Sequence, residues 1–234
     1  MSSQKKPRGV PDEVKAIIDE LRRFFDTKDE DGRRIGNAKG VYALFDYDGE
    51  PIYVGKTDLG LSGRVRRHLT NQRTDAIAMS VLDPFEVFIV EIWPLTYDRL
   101  TQDEKKAFAP KLAAAEFTVY AKVIGESTLK QVLNEKTIPK LPFVELPRSY
   151  RHQIVPAEIH RRREHPDLRI ARRAQTIARL AQVISEREVS AGLRKALVTQ
   201  ATRLKALAEQ RYAGFKGQEE IEAFDEETGE TEEQ

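Results

Sequence analysis

The stretch GVYALFDYDGEPIYVGKTDLGLSGRVRRH, residues 40–68, decides how this chain is read. Two apolar runs, 41–45 and 52–54, flank Asp46-Tyr47-Asp48-Gly49-Glu50. An Asp-Gly pair between such runs is a hairpin signal, because glycine supplies the positive φ that the turn needs. The pattern predicts two short antiparallel strands. Ser62 stands before Gly63-Arg64-Val65-Arg66-Arg67-His68-Leu69 and predicts a helix that it caps. Arg64 and His68 lie four apart and share a face of that helix. Tyr42, Tyr53, Lys56, Arg64 and His68 are therefore expected at one edge of a hairpin-plus-helix unit.

Working outward, residues 11–26 predict a helix with an apolar stripe of Val14, Ile17, Ile18, Leu21 and Phe25. Residues 27–39 are charged, contain Gly32 and Gly36, and read as a loop. Downstream of the core unit, 76–81 reads as a short helix ended near Pro84, and 85–93 as a third strand. Thr101-Gln102-Asp103-Glu104 has the form of a capping box. The helix it starts is expected to be interrupted at Pro110 and to resume through 111–123. Glu116 sits there among alanines and Phe117, an apolar setting in which a carboxylate needs a cation, hydrogen-bond or metal partner. Pro139, Pro142 and Pro147 mark an arm over 137–157. Two long helices, 167–186 and 189–212, are expected beyond it. Leu193, Leu197, Leu204 and Leu207 approximate a heptad seam in the second, so the pair reads as an antiparallel hairpin or a dimerisation element, leaving a homodimer open. Gly214 and Gly217 are expected to end it, before a disordered acidic tail.

The core stretch resembles the GIY-YIG nuclease family, whose two naming motifs read here as Gly40-Val41-Tyr42 and Tyr53-Val54-Gly55. Eleven positions separate Tyr42 from Tyr53, and eleven more separate Tyr53 from Arg64. The resemblance covers about residues 38–140. It implies an α+β fold, a small antiparallel sheet flanked by helices, here with a helical C-terminal extension. It implies phosphodiester hydrolysis on double-stranded DNA with Mg²⁺, or Mn²⁺ in its place. By the same resemblance Tyr42 accepts a proton from the attacking water, and Arg64 and His68 fill the helix positions that follow. Glu116 matches a metal-binding glutamate, and Asn134 falls at a later asparagine. The chemistry of these side chains agrees: Arg64 offers a planar cationic fork to a phosphate, and Glu116 is a hard oxygen ligand suited to magnesium. Tyr53 would hold water or phosphate by a hydrogen bond. Lys56 and Arg64 would favour a tyrosine phenolate, and His68 could relay a proton or touch the phosphate.

Composition sets the bounds. The 234 residues include no cysteine, which excludes disulfides and cysteine-ligated zinc. No run approaches the ~20 apolar residues of a membrane span, the N-terminus lacks an apolar signal core, and a cytoplasmic protein is expected. No P-loop or serine-hydrolase elbow is present. The net charge of +1 divides unevenly, since 218–234 holds nine acids and no base. Residues 148–173 hold eight arginines against three acids. A basic body suits a polyanion, and Arg66, Arg67, Arg161, Arg162 and Arg163 are the expected DNA contacts. His160 and His165, five apart, do not form a helical metal pair.

The expected organisation is a helix and loop over 1–37, the nuclease domain over 38–140, an Arg-rich helical region over 141–217 and the tail over 218–234. The expected activity is that of a magnesium-dependent DNA endonuclease of restriction or defence type. A repair or mobile-element nuclease, and a non-catalytic nucleic-acid-binding or assembly protein on the same scaffold, are the alternatives.

Overall fold

The computed structural model describes residues 12–69 and 83–229, with side chains of the last helix described as far as Lys216. The expected helix over 76–81 and the end of the tail lie outside the described residues. Strands β1 (Lys39–Phe45) and β2 (Pro51–Thr57) form the hairpin, and Gly49 takes φ +77° in its loop. Asp46 organises that loop: its Oδ1 accepts from the backbone N–H groups of Asp48 and Glu50, at 2.9 and 3.0 Å. Strands β3 (Ile89–Thr96) and β4 (Tyr150–Gln153) complete an antiparallel sheet of order β2-β1-β3-β4. β3 begins four residues later than expected. Asp83 caps a 3₁₀ turn over Pro84–Glu86, and Glu86 turns inward to arginines instead of joining the ladder. β4 lies inside the expected arm.

Both faces of the sheet are covered. Helix α1 (Asp12–Asp26) and α2 (Leu61–Leu69) pack on the face carrying Tyr42, Leu44, Ile52 and Ile92. Helix α3 (Gln102–Glu126) covers the other face, placing Leu112, Ala115, Val119 and Val123 against Val41, Ala43, Val54 and Trp93. Thr101 and Glu104 form the expected capping box. Pro110 does not interrupt α3. Its ring and Lys106, whose carbonyl loses a donor, are both on the exposed side, where water can satisfy that carbonyl.

The C-terminal region is helical, with α4 (Ala157–Arg163), α5 (Pro166–Glu186) and α6 (Ala191–Gly229). α5 and α6 form an antiparallel hairpin, tied at its open end by Arg211 to Asp167 at 3.0 Å. α6 passes through Gly214 and Gly217 to Gly229, where the sequence suggested an end and a disordered tail. A helical glycine costs only about 1 kcal/mol relative to alanine and does not by itself stop a helix. The buried stripe of α6 is Leu193, Ala196, Gln200, Arg203 and Leu207, so the seam is partly polar and faces the protein's own core.

Candidate active site

The two motif glycines are set by close approach. Gly55 pairs with Tyr42 across the hairpin, and a Cβ there would stand 2.5 Å from the Tyr42 hydroxyl oxygen. A Cβ at Gly40 would stand 2.1 Å from the backbone oxygen of Trp93 on β3. Any larger residue would push the phenol off β2 in one case and part β1 from β3 in the other. Tyr42 thus lies flat across its neighbour, with 0% of its surface exposed. Its hydroxyl is 2.8 Å from Nε2 of His68, which α2 delivers from one turn past Arg64. The Tyr53 ring completes the cluster, 5.0 Å from His68 and 6.1 Å from Tyr42 between centroids.

Across the sheet, α3 brings Glu116 to Lys56 of β2, and the two form a salt bridge. Glu116 is 9% exposed, so the carboxylate predicted to need a partner has one. Arg64 is different. Among the described residues its side chain makes no hydrogen bond or ion pair, and its Nε is buried without a partner. It lines an open cleft of about 370 Å³ with Lys56, Arg67 and Lys105, and with Leu59, Phe108 and Leu112. A planar cationic fork open to solvent has the chemistry to hold an anionic oxygen pair.

Residues 38–108 match the family model described as the GIY-YIG catalytic domain. This segment is a GIY-YIG domain. Comparison of the whole chain with curated proteins and with solved structures returned no significant match.

The matched segment holds Tyr42, Tyr53, Lys56, Arg64 and His68, whereas Glu116 and Asn134 follow it. In the structure Glu116 reaches the GIY-YIG cleft through Lys56. Asn134 takes a different place. Its Oδ1 accepts from the Val54 N–H at 3.1 Å and its Nδ2 donates to the Val54 carbonyl at 2.6 Å. Leu133 N–H adds a bond to the Ile52 carbonyl at 2.7 Å. The amide therefore closes the free edge of β2 as a partner strand would, and positions Tyr53 and Lys56 from behind.

The expected DNA contacts divide. Arg67 is exposed on the cleft and Arg66 is half-buried on the same helix. Arg161 and Arg162 are exposed on α4, and Arg162 pairs with Glu158. Arg163 is engaged elsewhere: it pairs with Glu13 of α1 and its guanidinium lies 3.8 Å from the centre of the Phe85 ring. α4 follows β4, at the sheet edge opposite β2, and His160 stacks on Tyr47 and Phe88. Arg169, Arg172 and Arg173 of α5 turn inward. Arg173 donates to Asp46 at 2.9 Å and to Glu86 at 3.0 Å, Arg172 donates to Glu86 at 3.0 Å, and Arg169 holds Asp48 through two nitrogens. Arg203 of α6 joins Asp46 and donates to the Pro51 carbonyl at 2.9 Å. Arg169, Arg172 and Arg173, three of the eight arginines of 148–173, thus form with Arg203 a clamp on the hairpin loop and its Glu86 neighbour.

Lys105, Phe108 and Leu59 of the cleft were missed by sequence reasoning. The signal was there: Lys105, Phe108, Leu112 and Glu116 recur at helical spacing. The break assumed at Pro110 separated them.

Proposed function

We propose that the protein is a magnesium-dependent DNA endonuclease that hydrolyses phosphodiester bonds in the cleft between α2 and α3. One observation supports this above all: Arg64, with no anionic partner among the described residues, lines that cleft beside Lys56, which pairs with buried Glu116. The donor set fits magnesium. Glu116 offers one hard carboxylate at the end of the cleft, beside Lys56. An ion held through a single carboxylate keeps most of its waters, as Mg²⁺ prefers. When bound it would polarise the phosphoryl oxygen and stabilise the leaving group. Glu116 would hold it, and its carboxylate pairs with Lys56.

The chain's own residues supply the rest. Arg64 binds the scissile phosphate and stabilises the charge that develops on its oxygens. Tyr42 and His68 act as one base. With Nδ1 carrying the imidazole proton, Nε2 accepts the Tyr42 hydroxyl, so Tyr42 can take a proton from water as its own passes to Nε2. This avoids a free phenolate, whose ordinary pKa of about 10 leaves roughly one in a thousand ionised at neutral pH. Tyr53, half-buried against both rings, orients the water or the phosphate.

Restriction or defence is the finer part of this reading. Its support is that the C-terminal helices are built into the nuclease domain through buried ion pairs, giving one compact enzyme. A supercoiled plasmid incubated with and without Mg²⁺ tests the activity, and Glu116→Gln serves as the control. We expect metal-dependent cutting that the Gln variant, folded by circular dichroism, loses entirely. Metal-independent cutting, or wild-type cutting by the variant, would reject the ligand assignment. Sequencing the cut ends separates a repeated site, as restriction requires, from scattered nicks.

A further inference from the structure

The cleft extends well past the scissile position, and its make-up changes along its length. One face of α3 lines it, with Lys105 at the outer end and Phe108, Ala109 and Leu112 along it, and Glu116 follows one turn on, paired with the lining residue Lys56. At 1.5 Å per residue, Lys105 and Glu116 are about 16 Å apart along the helix. Arg64 and Arg67 face this stripe from α2, one turn apart, and Leu59, 55% exposed, stands at the rim on the β2–α2 loop. Cations at both ends with an apolar middle do not match a bare phosphate track. A groove for the backbone alone would be polar throughout.

We propose that this groove holds an unstacked nucleotide next to the scissile phosphate, with its base against Phe108, Leu112 and Leu59 and the neighbouring phosphates on Arg67 and Lys105. The inference rests on the nuclease reading and names the substrate class within it: DNA that is single-stranded or locally unpaired beside the cut. Four cations, Lys56, Arg64, Arg67 and Lys105, stand against Asp58 in the lining, so the groove favours a polyanion. Asp58 holds Lys105 only loosely, at 3.9 Å on the surface, and an incoming phosphate displaces it readily. A cleft of about 370 Å³ lies within the range of ~300–1,000 Å³ typical of sites for small organic groups. Phe108, half-buried and anchored in the core beneath α3, is a fixed platform, and stacking on an aromatic ring tolerates any base.

The test uses the full chain in EDTA, where no cutting occurs, and reads fluorescence anisotropy with two short labelled strands of equal charge. One is oligothymidylate and the other is an abasic strand with the same number of phosphates. We expect the thymidylate to bind about tenfold more tightly, because only it has bases to stack. Phe108→Ala should remove most of that preference. Leu59→Ala, an exposed change that leaves packing intact, should remove about half of it. Lys105→Gln should weaken both strands alike and lower the salt dependence by about one phosphate contact. Equal affinity for the two strands, unchanged by Phe108→Ala and Leu59→Ala, would overturn the groove. If plasmid cutting in Mg²⁺ persists in that case, the nuclease reading stands alone. A base preference without plasmid cutting would reject the nuclease reading and keep the groove.

Discussion

Arg64 and Arg203 both sit on helices packed against the same hairpin, and the fold places them in opposite circumstances. Arg64 is half-buried, faces the open cleft and has no anionic partner among the described residues. Arg203 is 2% exposed and bonded to Asp46 and to the Pro51 carbonyl. Arg173 and Arg169 share its situation. The contrast shows why a local charge count misleads. Residues 148–173 count as strongly basic although Asp46 and Glu86, the anions of Arg173, lie 127 and 87 positions away from it. A cation is left available to an anionic ligand where the fold sets no carboxylate against it, as at Arg64 among the described residues. Where the fold supplies one in a dry setting, breaking the pair is costly and the cation becomes architecture.

The sharpest way to test the cleft side of this contrast is Tyr42→Phe. The ring keeps its place over Gly55, and only the hydroxyl bound to His68 is lost. If the pair is the base, single-turnover cleavage should fall by ~10²–10⁴-fold with DNA affinity unchanged. Tyr53→Phe should cost less. Equal, small losses in both would move the role of base to His68, with His68→Ala as the check.

Arg203→Ala tests the other side. Asp46 would keep Arg173 and, at 3.9 Å, Arg169, but lose one of the three buried cations that hold it among the described residues, and the Pro51 carbonyl would lose its donor. We expect destabilisation of about 3 kcal/mol in urea unfolding, with cleavage per folded molecule close to wild type. Unchanged stability together with weaker DNA binding would mean that the C-terminal arginines act on nucleic acid after all. The same clamp predicts that removing 157–229 unfolds the nuclease domain, so the C-terminal region is no detachable affinity module.

Arg64→Lys is the mirror experiment. It keeps the charge, replaces the fork with a point donor and touches no ion pair among the described residues. The cleavage rate should fall at least about tenfold while the unfolding midpoint stays put. A near-normal rate would make Arg64 a surface cation and dissolve the contrast.

Much of this was legible from the chain. Glycine at 40, 49 and 55 and the spacing of Tyr42, Tyr53 and Arg64 carried the hairpin, the first helix and the family. Those features are local, and their geometry follows from backbone rules. Glu116 was legible because a lone carboxylate among alanines requires a partner, though Lys56 could not be named across the sheet. The role of Asn134 was not, because bonding both ends of an amide to one residue of a strand edge leaves no periodic trace. The clamp was hidden for the same reason: its acids lie in the hairpin loop and its arginines in helices far along the chain. In α6 the polar Gln200 and Arg203 occupy the buried stripe, so a seam drawn through leucines alone pointed at the wrong face.

The smallest effect expected is a pH dependence carried by Asp48 at the rim of the clamp. Burial by itself would raise its carboxyl pKa, but the hydrogen bonds and charge of Arg169, with Arg173 and Arg203 behind it, outweigh burial and hold it below its ordinary value of 3.8. A carboxyl depressed in the folded state binds fewer protons there than in the unfolded chain. Its contribution is therefore complete above the unfolded value and is lost as pH falls through the lower, folded one. Glu50 adds to this in the same direction, since bonds from Ser127, Thr128 and Leu129 overcome its burial and depress it too. Wild-type stability should thus decline as pH drops below about 4, and Asp48→Asn should flatten part of that decline while leaving the Glu50 share. Because Asp48 is 38% exposed, solvent screens the pair and the flattening should be modest. Urea unfolding of both proteins across this range measures it. An identical acid profile in the variant would place Arg169 among the cations that the fold leaves uncommitted, on the same side of the contrast as Arg64.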